Sequence, residues 1–327
     1  MPTYERTPYP KIHYDADKIK LTRIFESPTL TGFSTKTTAS AKVDKVYGTF
    51  NLPELPKDRP YLYASMVLSL DGKIAFEDAP EGPLIAQTNR MDKDGGAADF
   101  WLLNMLRAAS DATMGFGGNF GSKVEESQTS KMFGVDLEGS GHVYDQDLED
   151  DRIAEGRHPV PWQIITSLDG SEITFGHPYL DNHPLIRCMI TTSPSGLEKV
   201  RSKCRIDHFV VDDPEKVPAP DKRKGLPVII TGTGAMPDAK VTMLILKRLG
   251  MDRVLIEGPS YCHHLIQQEL LDEMFLNYSC IYVGGKALSL GMRGTSFTSK
   301  NHPHTEMLSI HTHGPHFFYL RHKMIYG

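Results

Sequence analysis

The chain has no excess of either charge: 36 Lys and Arg stand against 41 Asp and Glu, a formal net charge of -5 with a pI near 6.3. Nothing in that balance calls for nucleic acid or an anionic membrane as a partner. No apolar run approaches the roughly 18 residues of a membrane span. The first residues, MPTYERTPYPKIHYDADK, hold no apolar stretch of the signal-peptide kind. Cysteine is scarce, with four residues and no CxxC spacing. Cys188 and Cys280 lie in apolar strand-like runs and read as buried free thiols rather than a disulfide framework. These absences point to a cytoplasmic protein. What is present is ordinary globular material, 39% hydrophobic and 24% charged, enough for a sizeable core.

The strongest pattern is 252–285. Val254-Leu255-Ile256 is a short apolar run of buried-strand type, ending in Glu257-Gly258-Pro259-Ser260. A helix is predicted from about Tyr261 to Leu271, and a second apolar run from Met274 to Val283 closes on Gly284-Gly285. This is a βαβ-like unit, and its turn lies where open α/β sheets place ligands. Glycine there allows close approach, and the helix N-terminus offers N–H groups to an anion. An ordinary strand-to-helix turn has the same look.

Further strands are expected at Tyr61–Ser69, Asp111–Gly115, Pro161–Thr166, Ile186–Thr191, Ile206–Val211 and Leu226–Ile230, with a short one possible at Glu172–Phe175. Helices are expected over Gly95–Ala109, from Pro194 to about Ser202, and over Ala239–Leu249. Residues 1–57 read as an extension that packs on the body or reaches a partner subunit. They hold too little apolar material for a core of their own. The run 145–151 (DQDLEDD), within a charged excursion over 123–160, reads as a solvated face. The tail, Glu306–Tyr319, reads as a hairpin turning at Gly314-Pro315. Its alternating His311 and His313 raise the question of a metal, but no acidic or cysteine partner completes a ligand set nearby and no metal is expected.

Four other stretches could carry chemistry. Asp71-Gly72-Lys73, past a buried strand, is either a substrate-facing pair or a plain Asp-Gly turn. Thr88, Asn89 and Arg90 are polar candidates in a loop. Gly115, Gly117, Gly118 and Gly121 suit a backbone lying against a phosphate or ring, yet match neither a P-loop nor the G-x-G-x-x-G spacing. Thr191-Thr192-Ser193 suits a helix N-cap or a cofactor phosphate.

In order, SLDGKIA (Ser69–Ala75), LRAASDATMG (Leu106–Gly115), ITTS (Ile190–Ser193), Glu257-Gly258-Pro259 and Leu271-Asp272-Glu273 resemble the pyrimidine reductase family of riboflavin biosynthesis (RibD C-terminal domain-like) over roughly residues 59–321. The resemblance implies an α/β fold with a mostly parallel, dihydrofolate-reductase-like central sheet flanked by helices and a C-terminal antiparallel hairpin. It implies a homodimer and NADPH-dependent hydride transfer to a pyrimidine or related heterocyclic carbonyl or imine, such as 5-amino-6-(5-phosphoribosylamino)uracil. In these terms Gly115, Gly117 and Gly118 would lie against the cofactor. Gly258 and Ser260 would take its pyrophosphate, and Thr191, Thr192 and Ser193 its 2′-phosphate side. Asp71, Lys73 and Glu257 would be catalytic, and Ser69, Thr88 and Arg90 would bind substrate.

Two features depart from the family pattern. Pro259 stands for the second glycine of its E-G-G turn, and 121–131 lacks its D-x-P-x-L-x-x-R motif. A charged insertion at about 139–160 is also unusual. The departures motivate an alternative, a catalytically silent nucleotide-binding or partner-binding protein on the same fold. The H-x-E and P-C-x-x-C marks of a fused zinc deaminase are absent.

Overall fold

The structure is a computed structural model that describes residues 4–37, 40–116, 141–171, 173, 175, 180, 185–292 and 294–327. The glycines at 117, 118 and 121 lie outside the described residues. Strand β4 (Tyr61–Ser69) lies fifth in a sheet that has eleven strands among the described residues. Its side chains alternate with the pleat: Tyr61 and Tyr63 face one core, and Leu62, Ala64, Met66 and Leu68 the other. A strand buried on both faces reads as a continuous apolar run, which is why this one stands out in the sequence.

On one side of β4 lie, in parallel succession, β10 (Arg253–Ile256), β5 (Ala112–Phe116), β6 (Trp162–Thr166), β7 (Cys188–Thr192), β9 (Leu226–Ile230) and β8 (His208–Val211). On the other lies β11 (Glu273–Ser279), also parallel. Next come the antiparallel strands β13 (Phe317–Ile325), β12 (His304–His313) and β1 (Thr22–Glu26). The last hairpin turns at Gly314, which has a positive φ of 54°. Two-residue strands β2 (Thr35–Lys36) and β3 (Asn51–Leu52) pair apart from the main sheet.

Helices α1 (Ala41–Val46), α3 (Lys93–Ala109) and α4 (Gln146–Ala154) pack on one face, with the four-residue α2 (Leu84–Gln87) beside α3. Helices α6 (Ala239–Arg248) and α7 (Pro259–Gln267) contribute to the core on the other face. Helix α5 (Pro194–Lys203) covers a third cluster around Ile165, Ile190 and Val228.

Two sequence expectations change. The acidic run 145–151 is not a solvated face: Asp145 caps α4, and Leu148, Glu149 and Arg152 are buried. Glu149 accepts hydrogen bonds from Thr7 N (2.7 Å) and Thr7 Oγ1 (2.7 Å) and pairs with Lys11, so its charge anchors the N-terminal strap. Ile173 and Phe175 lie outside any strand, residues 172 and 174 being outside the described residues. The tail histidine His311 is buried; its Nε2 lies 3.1 Å from the Tyr47 carbonyl and its ring stacks on Tyr47.

The N-terminal segment belongs to the same body. Tyr14, Ile19, Leu21, Val43, Val46, Tyr47, Phe50 and Leu52 enter the core shared with α3 and β4. Arg152, buried with no carboxylate partner among the described residues, donates to the carbonyls of Ala108 (2.7 Å) and Ser110 (2.7 Å), as a cation does at a helix C-terminus.

His313 closes a clasp. One ring nitrogen lies 2.7 Å from the Asp92 carboxylate and the other 2.6 Å from the Lys18 carbonyl. Two acceptors require both nitrogens to carry protons, hence the imidazolium. Burial pulls the pKa down, but the bonds to Asp92 and Lys18 outweigh it and the net shift is upward. A raised folded-state pKa contributes stability that is complete below the unfolded value of about 6.5 and is lost as pH rises through the folded value. Urea unfolding from about pH 6 upward is therefore expected to show a falling stability that the His313→Gln variant lacks. Superimposable pH curves for the two proteins would remove the clasp from the account.

Candidate active site

The parallel strands all end on one edge, and most of the residues singled out from sequence lie there. Strands β4 and β11 run in register to Ser69 opposite Ser279. Past Ser69 the chain turns through Gly72 (φ 77°) and returns, with Ser69 N bonded to the Lys73 carbonyl at 2.8 Å. The Ser69 hydroxyl is occupied inside this turn, donating to Asp71 Oδ1 (2.7 Å) and accepting from Lys73 N (2.9 Å). Asp71 also accepts from Val283 N (3.1 Å) and Gly284 N (2.8 Å). The Ser69 hydroxyl first, and these two amides after it, hold its carboxyl down to about 2. Lys73 donates from Nζ to the Gly285 carbonyl at 3.2 Å. Thr88 and Arg90 are exposed and flank Asn89, whose side chain donates to Ser279 Oγ at 3.1 Å. The Thr88 hydroxyl donates to the Leu84 carbonyl at 2.7 Å.

Beside β4, strand β10 ends at Glu257, whose N–H bonds to the Met114 carbonyl at 3.0 Å, so Glu257 is next to buried Gly115. The Glu257 carboxylate is held by both arms of Arg107, with Nε to Oε1 at 2.8 Å and Nη2 to Oε2 at 2.6 Å. The pair is nearly buried, with side chains 5% and 10% exposed. Arg107 also donates to the His142 carbonyl at 3.1 Å. This partner was not singled out from sequence as a site residue. The available signal was an arginine at helical spacing with Phe100, Leu103 and Leu106, where a buried charge must find a partner.

Helix α7 starts at Pro259 with Gly258 as its N-cap and no side-chain cap. Helices α3, α4, α5 and α6 are each capped by a side chain, from Asp92, Asp145, Ser193 and Asp238. The first turn of α7 is thus left open, with Ser260 exposed. The 285–294 loop joins this helix to the β4 turn: Lys73 bridges Ser289, and His263 of α7 lies against Gly291.

Thr191, Thr192 and Ser193 end β7, four strand spacings from β4, about 19 Å across the sheet. All three are buried. Thr191 donates to Thr166 Oγ1 (3.1 Å), Thr192 donates to the Leu168 carbonyl (3.3 Å), and Ser193 Oγ accepts from Gly196 N (3.4 Å) as the N-cap of α5. Their hydroxyls serve the fold. Among the described residues there is no group of three His, Cys, Asp or Glu side chains placed to hold a metal, and no helix is long and apolar enough to cross a membrane.

The chain is 22% identical over 243 residues, 74% of its length and 90% of the relative's, to the 2,5-diamino-6-ribosylamino-4(3H)-pyrimidinone 5′-phosphate reductase of Archaeoglobus fulgidus. The crystal structure of a pyrimidine reductase-like protein from Corynebacterium diphtheriae superposes with a TM-score of 0.57 at 17% identity, covering 87% of this chain and 98% of that one. No protein-family model matches. The chain thus shares the α/β fold of the Corynebacterium diphtheriae protein, a mostly parallel sheet flanked by helices with antiparallel strands at one edge. In sequence the similarity is to a pyrimidinone phosphate reductase, and in fold to a pyrimidine reductase-like protein.

Glu257→Gln removes the charge that Arg107 needs and leaves a buried guanidinium unpaired. The expected cost is about 3–5 kcal/mol, read as a lowered urea midpoint, with the double variant Arg107→Met/Glu257→Leu recovering most of it. Unchanged stability in Glu257→Gln would show that the pair does not hold this part of the sheet.

Proposed function

We propose that the chain is an NADPH-dependent reductase that transfers hydride to an electron-poor carbonyl or imine carbon of a pyrimidine-type heterocycle. The observation that carries the reading is the uncapped N-terminus of α7, which opens on the sheet edge that also bears Lys73. Similarity to a pyrimidinone phosphate reductase along nine-tenths of that relative supports the reaction class.

The residues present fit a dinucleotide. Gly258 leaves the helix end free of any side chain, so the amides of the first turn suit a pyrophosphate. Pro259 contributes no N–H, and it takes a position where that N–H would be unpaired in any case. Gly115, buried beside Glu257, presents bare backbone. The nicotinamide supplies the hydride, while the chain supplies orientation and charge. Preference for NADPH over NADH rests on the family resemblance, since the hydroxyls of Thr191–Ser193 are engaged internally.

Lys73 is the group we assign to the substrate. Its ammonium spends one donor on the Gly285 carbonyl and keeps others for a substrate oxygen. Glu257, locked to Arg107, orients the strand end rather than exchanging a proton, and Thr88 and Arg90 flank the place where the substrate would sit. Titration with NADPH and with NADH, followed by protein fluorescence, is expected to show binding that favours NADPH. Lys73→Ala is expected to lower turnover about 10²-fold with the fold unchanged. Binding without turnover on any pyrimidine would favour the catalytically silent alternative, and binding of neither nucleotide would remove the reductase reading.

A further inference from the structure

The turn that follows β11 is held from outside. Gly284 (φ 74°) and Gly285 (φ 60°) are consecutive left-handed residues, a conformation that costs a residue with a Cβ. The Asp71 carboxylate fixes this turn through the amides of Val283 and Gly284, and Lys73 fixes it through the Gly285 carbonyl. With three donors on its two oxygens, Asp71 has little left to offer a substrate. It is ionised throughout the neutral range and has no proton to exchange there. Its geometry is that of a clamp.

What the clamp presents is Tyr282. The side chain is 76% exposed, yet its ring edge comes within 3.1 Å of where a Cβ on Gly284 would stand, so ring and turn are set against each other. Leu70, 65% exposed, bonds through its N–H to the Ile281 carbonyl at 2.8 Å and adjoins the same turn. Met91, also exposed, follows Asn89, which is tied to Ser279 at the end of β11. Tyr282 and Leu70 thus follow the ends of two paired strands, next to the turn whose Gly285 carbonyl accepts from the Lys73 ammonium.

We propose that Asp71 is a positioning residue: with Lys73 it clamps the 283–285 turn so that the Tyr282 ring stands as a stacking surface for a planar heteroaromatic ring. That chemistry is common to a pyrimidine substrate and to nicotinamide. The inference deepens the reductase reading and rests on it for the identity of the ring. Stacking on an exposed aromatic does not depend on ring substituents, whereas Lys73 reads an oxygen beside it, so the two together admit a flat heterocycle bearing a carbonyl.

The test is titration of wild type, Tyr282→Ala, Tyr282→Phe, Asp71→Ala and Asp71→Asn with two probes, NADPH and 5,6-diaminouracil. Tyr282→Ala is expected to raise the Kd of one probe about ten-fold, and the probe affected identifies which ring stacks. Tyr282→Phe keeps the ring and is expected to bind as wild type does. Asp71→Ala is expected to weaken the same probe and to raise the KM of that ligand with kcat little changed, and Asp71→Asn, which keeps an acceptor, to restore part of the loss. Unchanged affinity for both probes in Tyr282→Ala overturns the stacking surface and leaves the reductase reading standing. Loss of kcat at unchanged Kd in Asp71→Ala overturns the positioning role. Failure of wild type to bind either probe overturns this inference together with the reductase reading. Tyr282 is exposed, so its variants report even if Asp71→Ala does not fold.

Discussion

One buried ion pair ties the two ends of the chain to the middle of the sheet. Arg321 of β13 and Glu273 of β11 meet at 2.7 and 3.0 Å, with side chains 2% and 0% exposed. The Tyr61 hydroxyl of β4 donates to the same carboxylate at 2.7 Å. Arg321 reaches the Asn51 carbonyl at 2.9 Å and lies over the rings of Phe33, Phe50 and Phe275. Desolvating two charges is costly, and only full pairing with extra hydrogen bonds offsets it. That demand makes the arrangement specific. The segment before β4, β4 itself, β11 and the terminal hairpin satisfy the guanidinium and carboxylate only when all are in register. A second pair next to it, Arg59 with Asp272 at 2.7 Å, fixes the start of β11 against β4.

With β11 and β4 in register, their ends meet at Ser69 and Ser279, and the turns that follow lie side by side. The chemistry-bearing edge is thus a downstream result of packing at the opposite end of the same strands. Charged groups on this edge divide by what they touch. Asp71 and Glu257 are consumed by backbone amides and by Arg107, whereas Lys73 keeps donors in hand. An edge that immobilises its acids and leaves a cation available suits the binding of an electron-rich oxygen.

Much of this fold was legible in the sequence because the parallel strands are buried on both faces. Val254–Ile256 and Tyr61–Ser69 announce themselves as apolar runs, and Gly314-Pro315 announces the last turn. The position of Asp71, Lys73 and Glu257 past strand ends was legible for the same reason. Their partners were not. Nothing local in DQDLEDD tells that Glu149 is buried under Thr7 and Lys11, because those residues lie some 140 positions away in sequence. Arg107 was visible only as a helix position, and its pairing with Glu257 is a tertiary fact. The serine and threonines at 191–193 fit a cap and a phosphate equally by sequence, and only their buried hydroxyl partners show what they do in the fold.

Strand β1 carries a consequence for how the molecule is made. Its Thr22 pairs with Thr312, so a segment synthesised among the first waits for one synthesised near the last. Loop closure over nearly the whole chain is an entropic cost met only when the terminal hairpin arrives. On a ribosome the early segment stays without its strand partner until β12 has been made. The pairing of β1 with β12 therefore closes the longest loop between neighbouring strands of the main sheet.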